Sequence, residues 1–121
     1  MCGINGVVGL NNISEILLQG IRNLEYRGYD SCGIALMSKS DLIVRKNTGG
    51  VEDFFRKESV LSTKSKVGIA HTRWATHGTV TRDNTHPFTS CDGLFAVVHN
   101  GIISNYLFLR DGLTSEGHVF R

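Results

Sequence analysis

The chain has 121 residues, of which 40% are hydrophobic and 20% charged, and its formal net charge is +2 from 13 basic and 11 acidic residues. This length predicts a single domain with a modest core, and the apolar content excludes a disordered chain. The charges are scattered without a basic run, so the composition argues against a nucleic-acid partner. No stretch is apolar enough for a membrane span or arranged as a secretory signal, and we expect a cytoplasmic protein.

The cysteines and histidines do not suggest a metal or disulfide protein. Cys2, Cys32 and Cys91 lack the paired spacing of a disulfide framework, a zinc site or a thiol redox motif. The five histidines match no metal-ligand pattern, which favours hydrogen-bonding or packing roles for them. We therefore expect a reducing compartment and no metal or other cofactor.

The first predicted elements are a strand and a helix. Residues 4–10 are apolar and β-branched with two glycines, which predicts a buried strand with close backbone approach. Asn12 and Glu15 resemble a capping signal, and a helix of about four turns is predicted to end near Arg27 and Gly28. Its apolar face is predicted to consist of Ile13, Ile16, Leu17, Ile21 and Leu24.

The rest of the chain alternates between strands and helices. Strands are predicted at residues 33–37, 42–46, 67–71 and 94–100. The first two are joined by a short polar segment and should form an antiparallel hairpin. Helices are predicted at residues 51–61 and 104–113, the second interrupted by Gly112.

The longest segment without a predicted element is residues 72–93, and a loop of that length in a compact domain is usually either functional or wrongly assigned. It follows His71 and opens with the sequence TRWATHG. The guanidinium of Arg73 can bind a carboxylate through two hydrogen bonds, although a lone arginine is also typical of a solvated surface. Considered in isolation, Trp74 is typical of a core aromatic residue.

Candidate catalytic groups occur at residue 2 and at residues 100–101. If Met1 is removed, Cys2 has both a thiol and a free α-amine, and an amine with a reference pKa of about 8 can accept the thiol proton near neutral pH. The alternative is that Cys2 is a small residue starting a strand. Asn100 and Gly101 offer an amide and an unhindered N–H suited to an oxyanion hole, although Asn-Gly is also a favoured turn dipeptide.

Taken together, five segments of the chain resemble the class II glutamine amidotransferases. In order, they are MCGINGVVG, LEYRGYDSCGIA, GIAHTRWATHG, NTHPF and VVHNGIISNY. HTRWATHG is similar to the motif of those members that use glutamine to convert fructose 6-phosphate to glucosamine 6-phosphate. The resemblance covers essentially the whole chain and implies an α+β fold, the αββα sandwich of the N-terminal nucleophile hydrolases, truncated at its C-terminal end. Residues 1–121 would be the N-terminal part of the glutaminase domain, without the sugar isomerase domain.

The resemblance also implies catalytic roles for five residues. Cys2 would attack the side-chain amide of glutamine, release ammonia and form a thioester that water hydrolyses. Asn100 and the N–H of Gly101 would stabilise the oxyanion, while Arg27 and Gly28 would support the cysteine.

Four further residues are implied to form the substrate pocket. Arg73 would bind the α-carboxylate of glutamine, with Thr76 and His77 lining the same pocket. Trp74 would gate the passage of ammonia to the sugar-binding domain.

The family domain continues past the end of this chain, and the continuation includes an aspartate that holds the substrate's α-ammonium. We therefore also consider a catalytically silent fragment or interaction module, with an open sheet edge and an uncovered apolar face. The partners implied are glutamine, fructose 6-phosphate through the isomerase domain, and further copies of the full-length protein. Neither nucleic acid nor membrane is expected.

Overall fold

The computed structural model describes residues 1–76 and 78–120, except for the side chain of Leu61. The strands are β1 (Gly3–Val8), β2 (Ser31–Ser38), β3 (Asp41–Thr48), β4 (Val67–Arg73), β5 (Phe88–Thr89) and β6 (Ala96–Val97). The helices are α1 (Ser14–Leu24), α2 (Val51–Lys57) and α3 (Tyr106–Ser115), with 3₁₀ turns at Glu25–Arg27 and Val60–Ser62.

Four strands form one antiparallel sheet in the order β1-β4-β2-β3. The hairpin of β2 and β3 supplies one side of the sheet, and β4 inserts between β2 and β1. In the register of the sheet, Gly3 lies opposite Thr72, and Ser31 lies opposite Arg73. The N-terminal residues are therefore held beside the C-terminal end of β4, where the loop with the candidate functional residues begins.

Both α1 and α2 pack on the same face of this sheet. Gly68 of β4 allows α1 to approach closely, because a Cβ there would lie 2.7 Å from the side chains of Leu17 and Leu36. Burying one large aliphatic side chain contributes about 1.5–3 kcal/mol relative to exposure, so this cluster is the main source of stability. Its buried members are Ile13, Leu17, Leu18, Ile21, Cys32, Ile34, Leu36, Val51, Phe54, Val60 and Ala70.

A loop covers the opposite face of the sheet. Gly33 pairs with His71 on one side and with Lys46 on the other, so the three lie in a row across the strands. The Nζ of Lys46 donates to the carbonyl oxygen of Thr85 at 2.9 Å. A Cβ on Gly33 would lie 2.2 Å from the carbonyl oxygen of His86, so the loop can cross the sheet only over a glycine.

Residues 88–120, which we call the C-terminal segment, pack differently. β5 and β6 form a separate two-stranded sheet, and none of the ten residues of α3 is buried. The segment exposes a series of large apolar side chains: Leu94, Phe95, Val97, Ile102, Ile103, Tyr106, Leu107, Phe108, Leu109, Leu113, Val119 and Phe120.

The strands differ from the sequence predictions in their lengths and in the burial of β1. The hairpin is confirmed, and its strands are longer than predicted. β1 is not buried, because it lies at an edge of the sheet, and Val8 is 80% exposed. The strand predicted at residues 94–100 is wrong except at Ala96–Val97, because among the described residues β6 pairs only with the two residues of β5.

The helices also differ in detail. The first helix is shorter than predicted, since α1 ends at Leu24 and a 3₁₀ turn follows. Ile16 was predicted in the core but is 61% exposed, whereas Leu18 is buried. The two lie about 100° on either side of Leu17 around the helix, and the sheet packs on the side of Leu18. The interruption predicted at Gly112 is absent, because α3 continues through it to its end.

Candidate active site

The thiol of Cys2 lies against the backbone at the end of β4. Cys2 immediately precedes β1, and the pairing of β1 with β4 places it beside Trp74. The N–H of Trp74 donates to Cys2 Sγ at 3.3 Å, and Sγ lies 3.6 Å from the carbonyl oxygen of the same residue. The sulfur of Cys2 is therefore held against the backbone of Trp74.

The turn after α1 packs directly on the same stretch of backbone. A Cβ on Gly28 would lie 2.7 Å from the carbonyl carbon of Arg73 and 2.9 Å from the nitrogen of Trp74. Arg27 Nη2 lies 3.7 Å from the sulfur of Met1, while Arg27 Nε is buried without a hydrogen-bond partner in the described part of the chain. Of the two residues predicted to support the cysteine, Arg27 therefore lies beside Met1, and Gly28 packs on the backbone of Trp74 that contacts the Cys2 sulfur.

Asp30 is a positioning group that the sequence interpretation missed. Its Oδ2 accepts the N–H of Ala75 at 2.7 Å, and its own N–H donates to the carbonyl oxygen of Arg73 at 3.0 Å. The preceding ring of Tyr29 contacts that of Trp74 edge-on, with centroids 5.3 Å apart. The only sequence signal was an aspartate in a turn, where such side chains often bind backbone N–H groups.

Asn100 connects Cys2 to a buried histidine. Its Nδ2 donates to the carbonyl oxygen of Cys2 at 3.2 Å, although the two residues are 98 positions apart. Its Oδ1 lies 2.8 Å from Nε2 of His71, a side chain that is 1% exposed. The amide of Asn100 is thus held at both ends, while the residue as a whole is exposed.

Gly101 follows Asn100 in a conformation that requires glycine. Its φ is +146°, which other residues rarely adopt, and a Cβ there would lie 3.0 Å from Nε2 of His99. The predicted pair of oxyanion donors therefore lies at a tight backbone turn, and its amide member is in contact with Cys2.

The residues predicted to form the substrate pocket differ in how far they are buried. Arg73 is 9% exposed, and its Nη1 donates to the carbonyl oxygen of Thr79 at 3.1 Å, which directs the guanidinium under the loop. The Trp74 side chain is 42% exposed, and Thr76 is also exposed. His77 lies outside the described residues.

Two imidazoles stack beneath this site on the loop-covered face of the sheet. The rings of His71 and His86 are 4.2 Å apart with an interplanar angle of 27°. Burial, with the nearby charges of His71 and Arg73, lowers the pKa of His86 from its ordinary 6.5 to about 4. Burial likewise lowers the pKa of His71. Both rings are therefore neutral near pH 7.

Among residues 1–76 and 78–120, no group of three or more histidine, cysteine or acidic side chains is arranged to hold a metal ion. Over the same residues, no helix is both long and apolar enough to cross a membrane.

Comparison with known sequences finds close relatives of the whole chain. No family model matches it. Over 121 residues it is 48% identical to the glutamine–fructose-6-phosphate aminotransferase (isomerizing) of Methanococcus maripaludis and 50% identical to that of Aquifex aeolicus. The Pyrococcus horikoshii protein of the same name is 45% identical. The chain covers 100% of itself in these matches but 20% of each relative, so it spans one fifth of their length.

Two solved structures share the fold. The glutamine phosphoribosylpyrophosphate amidotransferase of B. subtilis, complexed with ADP and GMP, matches with a TM-score of 0.81 at 27% identity. A structure described as the allosteric regulatory enzyme of purine biosynthesis matches with a TM-score of 0.82 at 26% identity. Each match covers 100% of this chain and 26% of the solved one. The expected α+β fold is thereby confirmed, with this chain corresponding to part of a larger structure.

Proposed function

Because the chain belongs by sequence and fold to the class II glutamine amidotransferases, we propose that Cys2 hydrolyses the side-chain amide of glutamine. The released ammonia would serve, in the longer protein, to convert fructose 6-phosphate to glucosamine 6-phosphate. The observation that carries the proposal is the double contact at Cys2. Its sulfur accepts the N–H of Trp74, and its carbonyl oxygen accepts the amide of Asn100. The proposed nucleophilic sulfur and the carbonyl oxygen that binds the Asn100 amide thus belong to the same residue.

The proposed reaction begins with removal of Met1, which frees the α-amine of Cys2 to act as the base. The amine takes the thiol proton, and the sulfur attacks the carboxamide carbon of glutamine. The carbon–nitrogen bond then breaks, the amine returns the proton to the leaving nitrogen, and ammonia departs. Water hydrolyses the resulting γ-glutamyl thioester, which gives glutamate and restores the thiol.

Asn100 is proposed to stabilise the oxyanion formed in both steps. Its amide nitrogen carries two hydrogens, and the carbonyl oxygen of Cys2 accepts one of them. The second hydrogen, together with the N–H of Gly101, would be donated to the developing negative charge. Loss of one such donor typically slows a reaction about a hundred- to a thousandfold.

The remaining predicted residues would bind the substrate. Arg73, which Thr79 helps to orient, is proposed to bind the α-carboxylate of glutamine. Thr76 and His77 would line the same pocket, and Trp74 would control the passage of ammonia.

A specific observation also favours a second candidate, a catalytically silent module of the same fold. Asn100 is exposed, and α3 has no buried residue, so the part of the chain that carries the oxyanion donor has little support in this chain. Under this alternative the chain keeps its fold and an apolar interaction surface without turning over glutamine.

Covalent labelling distinguishes the two candidates. The purified chain without Met1 is incubated with diazo-oxo-norleucine, a glutamine-like electrophile, and the adduct is located by mass spectrometry and peptide mapping. An adduct on Cys2 that excess glutamine suppresses supports the glutaminase. No adduct after Met1 removal favours the silent module. Cys32, which is buried, and Cys91, which is exposed, serve as internal controls for nonspecific labelling, and Cys2→Ala serves as the matched variant.

A further inference from the structure

We infer that His71 is a positioning residue that fixes the side-chain amide of Asn100 in the orientation that an oxyanion donor requires. The catalytic meaning of this inference rests on the proposed function, whereas the orientation itself can be tested without activity. Neither His71 nor its contact was among the site residues that the sequence predicted.

The chemistry of the two contacts determines which way the amide points. A carbonyl oxygen only accepts hydrogen bonds, so the Asn100 atom at 3.2 Å from the Cys2 oxygen must be the nitrogen Nδ2. The other end, Oδ1, therefore faces His71 Nε2 at 2.8 Å. Because Oδ1 also only accepts, Nε2 must carry a proton.

The surroundings of His71 restrict its protonation further. Burial lowers its pKa, so near pH 7 the ring is neutral and has one N–H. That proton is on Nε2, which leaves Nδ1 unprotonated, buried and without a hydrogen-bond partner among the described residues. The bond to Asn100 thus selects one tautomer of the ring.

Packing holds the plane of the ring. His71 lies on β4 in the middle of the sheet, and the ring of His86 stacks on it at 4.2 Å. His86 is in turn held edge-on by Phe88 at 4.4 Å. The donor Nε2–H therefore has a fixed direction.

Asn100 needs such a partner because its own segment does not constrain it. It lies outside any strand or helix, it is exposed, and His71 is the only partner of its oxygen within the described chain. If the amide turned over, Oδ1 would face the Cys2 carbonyl oxygen. In that orientation the partial negative charge of Oδ1 would also lie where the oxyanion develops.

Two substitutions of His71 form a matched pair. In His71→Gln the side-chain N–H lies near the former Nε2, whereas in His71→Asn the amide reaches only to the former Nδ1. For glutamine hydrolysis by the full chain without Met1, we expect His71→Asn to lower kcat at least about tenfold with little change in KM. His71→Gln should restore most of that loss. In an Asn100→Ala background, His71→Asn should cause no further loss, since the two residues act as one unit.

The test independent of activity is the side-chain NH₂ signal of Asn100 in ¹⁵N-labelled protein. We expect a resolved pair of resonances in the wild type and in His71→Gln, and a shift toward the values of a free amide in His71→Asn. An unchanged pair in a folded His71→Asn chain would overturn the inference. A wild-type chain without glutaminase activity would instead contradict the proposed function, and the NMR result would still decide the role of His71.

Discussion

The four-stranded sheet and the C-terminal segment differ in how far their side chains are buried. The sheet, α1 and α2 enclose a continuous apolar core, whereas every residue of α3 lies at the surface. Cys2 belongs to the first region and Asn100 to the second. The proposed nucleophile is therefore held by the well-packed region and the proposed oxyanion donor by the weakly packed one.

The proposed site therefore depends on contacts between the two regions more than on the C-terminal segment itself. Regions with few buried contacts open locally at a lower free-energy cost than the global core. The hydrogen bonds of Asn100 to His71 and Cys2 connect the C-terminal segment to the sheet region.

Two phenylalanines should differ most in their contribution to stability. Phe54 is 0% exposed and Phe108 is 78% exposed. We expect Phe54→Ala to lower the free energy of unfolding by about 3–5 kcal/mol, because it leaves a cavity, and Phe108→Ala to change it by about 0.5 kcal/mol or less. Denaturant titration of both variants measures the difference. Equal losses would show that the C-terminal segment is as well supported as the core.

Acid should destabilise the sheet region through His86. Its folded pKa is about 4, below the ordinary 6.5, so between these values the unfolded chain binds more protons than the folded one. The free energy of unfolding should therefore fall as the pH drops from about 6.5 to about 4, by an amount on the order of 3 kcal/mol. Urea titration across this range should show the loss reduced in His86→Phe and retained in His118→Asn. A loss that is the same in His86→Phe would contradict this assignment.

Two glycines provide a steric comparison. A Cβ on Gly28 meets backbone atoms of Arg73 and Trp74 at 2.7 and 2.9 Å, which cannot move without displacing the sulfur contact. A Cβ on Gly112 of α3 meets no described atom of another element within 4 Å. We expect Gly28→Ala to destabilise the chain by about 1–3 kcal/mol, and Gly112→Ala to stabilise α3 by about 0.5–1 kcal/mol. Thermal unfolding of the two variants gives the signs, and a neutral Gly28→Ala would refute the close packing.

The smallest effect concerns thiol reactivity. The hydrogen bond from His118, 3.3 Å away, lowers the pKa of exposed Cys91, whereas burial raises that of Cys32 to about 12. Iodoacetamide should therefore label Cys91 while Cys32 stays unmodified in the folded chain, and His118→Ala should slow labelling of Cys91 roughly a few-fold. Timed alkylation with peptide mapping measures both rates. Early labelling of Cys32 would mean that the core opens readily.

Local sequence patterns predicted much of the sheet region. The hairpin, β4 and the two packed helices follow from periodicity and turn composition, which are local signals. The burial of Leu18 in place of Ile16 could not be predicted. Both side chains are apolar, and only the packing of α1 on the sheet distinguishes them. The shortening of the strand at residues 94–100 likewise depends on which strands are available to pair with it.

The candidate site was predictable to a different extent. Cys2 and Asn100 were identified from their chemistry and from family motifs, and the structure brings them into contact, although their catalytic roles remain predictions. The contribution of His71 was hidden, since it depends on a bond to a residue 29 positions later. That of Asp30 was hidden for the same reason, because its carboxylate binds a backbone N–H 45 positions away.

The most direct test of Cys2 as the proposed nucleophile is to trap the γ-glutamyl thioester on its sulfur. The chain without Met1 is mixed with glutamine and hydroxylamine, and the γ-glutamyl hydroxamate is quantified against Cys2→Ala and against chain that retains Met1. The proposed nucleophile predicts hydroxamate only when Cys2 is present with its α-amine free. Hydroxamate formation that is unchanged in Cys2→Ala, or its absence from the wild-type chain after Met1 removal, would contradict the proposal that this chain assembles a glutamine-hydrolysing site.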